Sequence, residues 1–304
     1  MSIITLLRRK DKNGKKDVYL KFKDTFLKPK LPNKPILLAP ALTKKWSITG
    51  HAFDYLLRFH LKQKYSLLVN DTGTWIAEQG LEYIRTRKGT PRLYRAASKI
   101  VKDAKEQYGR FLKTESCDDN LIRSCILLSK IDSIFRTGED YYPDTLEEFL
   151  DVDETIVQDL KKLISIVPID EFKPNIGILL NPDFGVGSQI VGGSDADLII
   201  DNMIIDIKVT KNLYLTPEMW YQIIGYYLLY CIDILEVMES KRSVLYPGFQ
   251  NDVTINQIGI YFARHGYLWT ISVDELLKPG KEFDDFVSWL IDCGDKEYYG
   301  TIED

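Results

Sequence analysis

The sequence predicts an α/β protein, a three-layer α/β/α core built around a mixed β-sheet and carrying a helical insertion. Three observations predict it. As far as residue 165 the apolar residues recur mainly at helical spacing. Past Pro174 the texture changes to short runs rich in Ile, Leu and Val, which is how strands read. The two runs at 195–200 and 203–209 are also apolar on both faces (Leu198, Ile199, Ile200, Ile204, Ile205, Ile207, Val209), as expected of inner strands covered on both sides.

Taken in order, residues 1–46 are basic and broken by Pro29, Pro32, Pro35 and Pro40, and read as an N-terminal arm with one short strand at 18–22. A helix at 47–61 follows, with Ala52, Phe53, Leu56, Leu57 and Leu61 on one face and Asp54 and Arg58 together on another. Residues 75–165 form the helical insertion, with helices at 91–112, 121–135 and 155–166 interrupted by an acidic, turn-rich piece at 139–154. Strands are expected at 176–180, 188–191, 195–200 and 203–209, with Gly185, Val186 and Gly187 as a loop before the second. Thr216, Pro217 and Glu218 make a helix start, with a hydroxyl cap, proline at the first helical position and an acid in the first turn, for a helix reaching about 238. Strands at 255–263 and 267–273 meet across His265 and Gly266, and a last helix covers 283–291. The main body is thus 47–304, with no internal repeat.

A chain of 304 residues that is 45% hydrophobic and 28% charged has the composition of an ordinary globular protein. Cys117, Cys125, Cys231 and Cys293 fit neither a zinc knuckle nor a disulfide framework, and read as reduced thiols of a cytoplasmic protein. No secretory signal and no membrane-spanning stretch is expected. The net charge of −4 argues against a protein that coats nucleic acid non-specifically but leaves room for one that grips it locally, because the charge is unevenly spread. Thirteen Lys and Arg residues in the first fifty face only Asp11, Asp17 and Asp24, and a second basic stretch holds Arg85, Arg87, Lys88, Arg92 and Arg95 with Tyr83 and Tyr94 interleaved. These are candidate phosphate contacts; the plainer reading is a solvated helix face.

The chemistry concentrates in residues 192–208. Asp201 and Asn202 suit a two-residue hairpin turn, which sets Ile200 against Met203 and makes every cross-strand pair sum to 403. Asp197 then lies opposite Asp206, and Asp195 opposite Lys208, all on one face of the sheet. Facing carboxylates repel, and on covered strands their charge is expensive. A hard divalent cation answers both problems, because Mg²⁺ prefers carboxylate oxygens and retained waters; Mn²⁺ would substitute. Such an ion activates water and stabilises charge on a scissile phosphate, at which Lys208 would also point.

Asp197 followed by Asp206, Ile207 and Lys208 resembles the motif of the PD-(D/E)XK nucleases. Gln222 and Tyr226, one turn apart on the next helix, are similar to the Q-x-x-x-Y motif of the RecB-type branch, where both face the active site; the plainer reading makes them packing residues. Gly50 to Asp54 is similar to that branch's G-x-x-x-H or G-x-x-x-E motif, with Asp54 in the slot usually held by His or Glu. Whether Asp54 reaches the metal or His51 works from another position stays open, as does whether Arg58 pairs with Asp54 or touches a phosphate. The resemblance implies a restriction-endonuclease-like core and metal-dependent hydrolysis of phosphodiesters in nucleic acid, DNA favoured. Asp197, Asp206, the Ile207 carbonyl and Asp54 would hold Mg²⁺, and Lys208, Gln222 and Tyr226 would complete the catalytic set. Asp195, His51 and Arg58 would support them. The four-cysteine iron–sulfur cluster found in many RecB-type enzymes has no counterpart here, so none is expected. Restriction, repair or defence against foreign DNA such as phage would suit this chemistry. The rival reading is a catalytically silent binding or assembly subunit acting with a partner protein; a homodimer is equally compatible.

Overall fold

The computed structural model describes residues 3–8, 16–31, 35–70, 74–87, 90–137, 142–240 and 254–298. Among these, six strands form one mixed sheet in chain order: β1 (Val69–Asn70), β2 (Ile178–Leu180), β3 (Leu198–Ile200), β4 (Met203–Lys208), β5 (Gln257–Phe262) and β6 (Tyr267–Ser272). The pairs β1/β2 and β4/β5 are parallel and the other three antiparallel. Parallel neighbours need a long crossover, and here the helical stretch after β1 and the long helix after β4 supply it.

The described helices are α1 (Ile3–Arg8), α2 (Asp17–Thr25), α3 (Trp46–Lys64), α4 (Ile76–Thr86), α5 (Pro91–Thr114), α6 (Asp119–Thr137), α7 (Leu146–Leu150), α8 (Glu154–Ser165), α9 (Gly185–Ile190), α10 (Pro217–Ser240) and α11 (Phe283–Tyr298). Strand alternation sorts them into two cores. Leu198, Ile200, Ile205, Ile207 and Tyr261 point into a core shared with α3 to α8, whereas Ile199, Ile204, Ile258, Ile260 and Phe262 point into one shared with α1, α2, α10 and α11. The sheet therefore carries helices on both faces, and no described helix is long and apolar enough to cross a membrane.

Several expectations give way. The strand expected at 18–22 is helix α2. Val18, Phe22 and Thr25 are its buried residues, at helical spacing, whereas strand alternation would have turned Leu20 inward, and Leu20 is 49% exposed. The loop at 185–187 and the strand at 188–191 are together the short helix α9. A Cβ at Gly187 would lie 2.1 Å from the Leu229 carbonyl oxygen, so the glycine lets α9 approach α10, a reason that resides in the partner helix. The strand expected from 195 begins only at Leu198, and the acidic piece at 139–154 contains α7, capped by Thr145 Oγ1, which accepts from Glu148 N at 3.1 Å. Leu38 and Ala39 of the arm are tied to the main body through Arg264: its carbonyl accepts from Leu38 N and Ala39 N at 3.0 Å, and its guanidinium makes a buried bidentate pair with Asp159 of α8 at 2.8 Å.

Candidate active site

The β3–β4 hairpin comes first, because its turn sets the register. Asp201 takes a left-handed φ of 51°, and its carboxylate accepts from the backbone N–H groups of Asn175, Ile176 and Gly177 at 2.7 to 3.1 Å. The pairs Leu198/Ile205, Ile199/Ile204 and Ile200/Met203 follow the expected sum. There the ladder stops. In place of a main-chain pair opposite Asp206, the Asp197 carboxylate accepts from Ile207 N at 2.6 Å. Burial, then the charges of Asp54 and Asp206, push its pKa well above the ordinary carboxylate range against the opposing pull of Lys208.

Asp206 and Lys208 lie two apart on β4 and share the face that looks toward α10. Asp206 is 2% exposed, and burial raises its pKa although Lys208 opposes the shift. Lys208 Nζ stands 2.7 Å from Asp206 Oδ2, a contact of charge rather than an aligned hydrogen bond. The same ammonium donates to Gln222 Oε1 at 2.9 Å, and Gln222 Nε2 donates to Tyr226 Oη at 2.7 Å. The helix pair expected one turn apart is thus joined to the lysine in one chain. Tyr226, buried against Phe184, has its pKa raised by burial first and by Asp206 next.

The opposite layer brings in α3 and α6. Arg58 pairs with Asp54, lies over the Tyr55 ring at 4.8 Å and is buried, which settles its contact in favour of the acid. Asp54 Oδ1 is buried without a hydrogen-bond partner, and burial raises this group's pKa too. One turn earlier, His51 also has a buried Nδ1 without a partner. Its pKa is pushed down to about 4 by burial, then by Arg136 and Arg58, so the ring is neutral near pH 7. Asp195 departs from expectation. It bridges to Asp183 and its carboxylate accepts from Arg136 Nη2 at 3.3 Å, so it neighbours an arginine of α6 and not Lys208.

Two residues escaped the sequence reading, Asp132 and Arg136, both on α6. Asp132 accepts from Tyr55 Oη at 2.8 Å, and burial lifts its pKa to about 7 against the pull of Arg136. The available signal was that Asp132/Arg136 repeats the i, i+4 spacing of Asp54/Arg58.

The basic stretch runs from the end of α4 into the start of α5. Arg85 pairs with Glu82, Arg87 lies 4.6 Å over Tyr83, Arg92 and Arg95 are exposed, and Lys88 lies outside the described residues. The neighbouring cleft of about 470 Å³ is lined by Glu78 and Glu82 along with Tyr83 and Phe135, and the two glutamates pair with Lys105 and Arg85.

Chemically, the centre gathers Asp54, Asp132, Asp195, Asp197 and Asp206 against Arg58, Arg136 and Lys208: five acids and three bases, two negative charges in excess if all are ionised. The donors are hard oxygens and one is an orphaned buried carboxylate oxygen, which fits a hard divalent cation. Among the described residues no three His, Cys, Asp or Glu side chains already stand as a metal-holding group. The four cysteines are free thiols. No family model, curated protein or solved structure matches this chain.

Proposed function

We propose that the chain is a Mg²⁺-dependent nuclease hydrolysing phosphodiesters, with a core of the restriction-endonuclease type. The observation that carries the reading is that Asp197, whose raised pKa responds to both Asp54 and Asp206, joins the acid of α3 to the face of β4 where Asp206 lies and Lys208, Gln222 and Tyr226 form one hydrogen-bonded chain. Acids held at such a cost to stability, beside a tethered ammonium, suit a site whose charge is completed by a ligand.

Asp54, Asp197 and Asp206, with the Ile207 carbonyl, would hold the ion. When bound, the ion supplies an acidified water and charge for the phosphate. Lys208 neutralises a phosphate oxygen, and Gln222, itself fixed by Tyr226, keeps the ammonium aimed. His51, kept neutral at pH 7 by burial, Arg136 and Arg58, holds a buried Nδ1 without a hydrogen-bond partner beside these groups.

The test is cleavage of plasmid DNA and of DNA and RNA oligonucleotides with Mg²⁺, alongside thermal melts. Wild type should cut, with activity lost in Asp206→Ala, Asp197→Ala and Lys208→Ala. In metal-free buffer Asp206→Asn should melt at or above the wild-type temperature, because an amide relieves the buried charge, and Mg²⁺ should raise the melting temperature of wild type only. Strand binding without cleavage under any divalent ion would favour the silent-subunit reading. Destabilisation of metal-free Asp206→Asn by several kcal/mol, with cleavage persisting, would make the pair structural.

A further inference from the structure

We infer that the helical insertion supplies a second phosphate-binding position to this site. Arg136, at the end of α6, grips a phosphate of the bound strand next to the one that Lys208 meets. The ligand class rests on the nuclease reading; the position does not.

Arg136 differs from the other arginines of the interior. Arg264 is buried with both terminal nitrogens bonded to Asp159 and one also to the Ala39 carbonyl. Arg58 is buried, with Nη2 on the Asp54 carboxylate and Nε on the Asp54 carbonyl. The Arg136 side chain is 40% exposed, although Ile131, Ser133 and Ile134 just before it are buried. Its one hydrogen bond among the described residues is from Nη2 to Asp195 at 3.3 Å, so most of a five-donor fork has no acceptor. Arg264 has both ends of its fork engaged and Arg58 is buried against its acid, whereas Arg136 is part-exposed on one long contact.

Its surroundings put it at the mouth of the site. Asp195 stands two residues before Asp197, and the charges of Arg136, Asp195 and Lys208 all act on His51. Two cations thus reach this cluster of acids from opposite layers, Lys208 of the sheet through Asp206 and Arg136 of the insertion through Asp195. Lys208 is already engaged by Asp206 and Gln222. A planar guanidinium matches two phosphate oxygens bidentately, better than the single long contact it makes with Asp195. Asp195 holds the fork extended until a phosphate displaces it.

The experiment is fluorescence anisotropy of a labelled DNA duplex across a salt series, with Ca²⁺ in place of Mg²⁺ to keep the strand whole, on wild type, Arg136→Ala, Arg136→Lys and Asp195→Ala, with thermal melts alongside. Arg136→Ala should weaken binding about tenfold and reduce the salt slope by about one. Arg136→Lys should restore the slope but not the full affinity, and Asp195→Ala should bind as tightly as wild type or tighter. Wild-type affinity and slope in Arg136→Ala would overturn the inference, as would weakening by Asp195→Ala equal to that by Arg136→Ala, the signature of a structural pair. Should Arg136→Ala fail to fold, a full wild-type affinity in Arg136→Lys would overturn it equally. A wild type that cuts DNA while Arg136→Ala binds normally removes this inference alone; a wild type that neither binds nor cuts removes the nuclease reading with it.

Discussion

Asp132 is a carboxyl group buried in the helical layer, with a tyrosine hydroxyl as its hydrogen-bond donor and two arginines within electrostatic reach. Its folded pKa, lifted to about 7, exceeds that of the unfolded chain, so the folded state holds this proton more tightly. The contribution to stability is complete below the unfolded value near pH 4 and is lost as pH rises through about 7. Asp132→Asn keeps an acceptor for Tyr55 and carries no charge. It should therefore match wild type near pH 4 and exceed it at pH 8 by on the order of 4 kcal/mol, read from denaturant titrations at both pH values. A deficit of the variant at pH 8 would show that the ionised acid is needed by Arg58 or Arg136. Asp197, Asp206 and Lys208 were legible in the sequence because a hairpin turn and period-two alternation suffice to bring them together. Asp132 and Arg136 were not, because they meet the site only through the packing of α6 on α3.

At the scale of elements, the buried Arg264/Asp159 pair ties α8 to the β5–β6 corner, and the Arg264 carbonyl and guanidinium both hold residues of the arm. Removing one partner strands the other charge. Asp159→Ala should cost about 3–5 kcal/mol, whereas replacing both by leucine and methionine should cost much less, a comparison made by urea unfolding. Equal losses in single and double variants would mean that packing volume, not charge, holds the corner. The same scale explains what sequence periodicity missed. Helix α2 satisfied alternation as well as helical spacing over its first five residues, and only the burial of Val18, Phe22 and Thr25 distinguishes the two. Helix α9 depends on a glycine whose meaning lies 42 residues away, at the Leu229 carbonyl. The long helices α3, α5, α6 and α10, with many turns of consistent pattern and in two cases a proline start, were legible almost to their ends.

For the molecule as a whole, the sheet separates two cores, and the site draws Asp54, Arg58 and Arg136 from one side and Asp206, Lys208, Gln222 and Tyr226 from the other. Apolar residues on both faces of β3 and β4 made this layering readable in the sequence. In native-state hydrogen exchange, layers that share only a sheet can open as separate cooperative units. Leu128→Ala, deep in α6, should cost about 2–5 kcal/mol and lower the protection of amides in α3 to α8 by that amount, leaving α10 nearly unchanged. Equal loss of protection in both layers would show that the molecule opens as a single unit. If the layers open separately, the population of assembled sites is the product of two local equilibria. Each destabilised layer then lowers it multiplicatively, and activity would fade with temperature before far-ultraviolet circular dichroism registers any loss of helix.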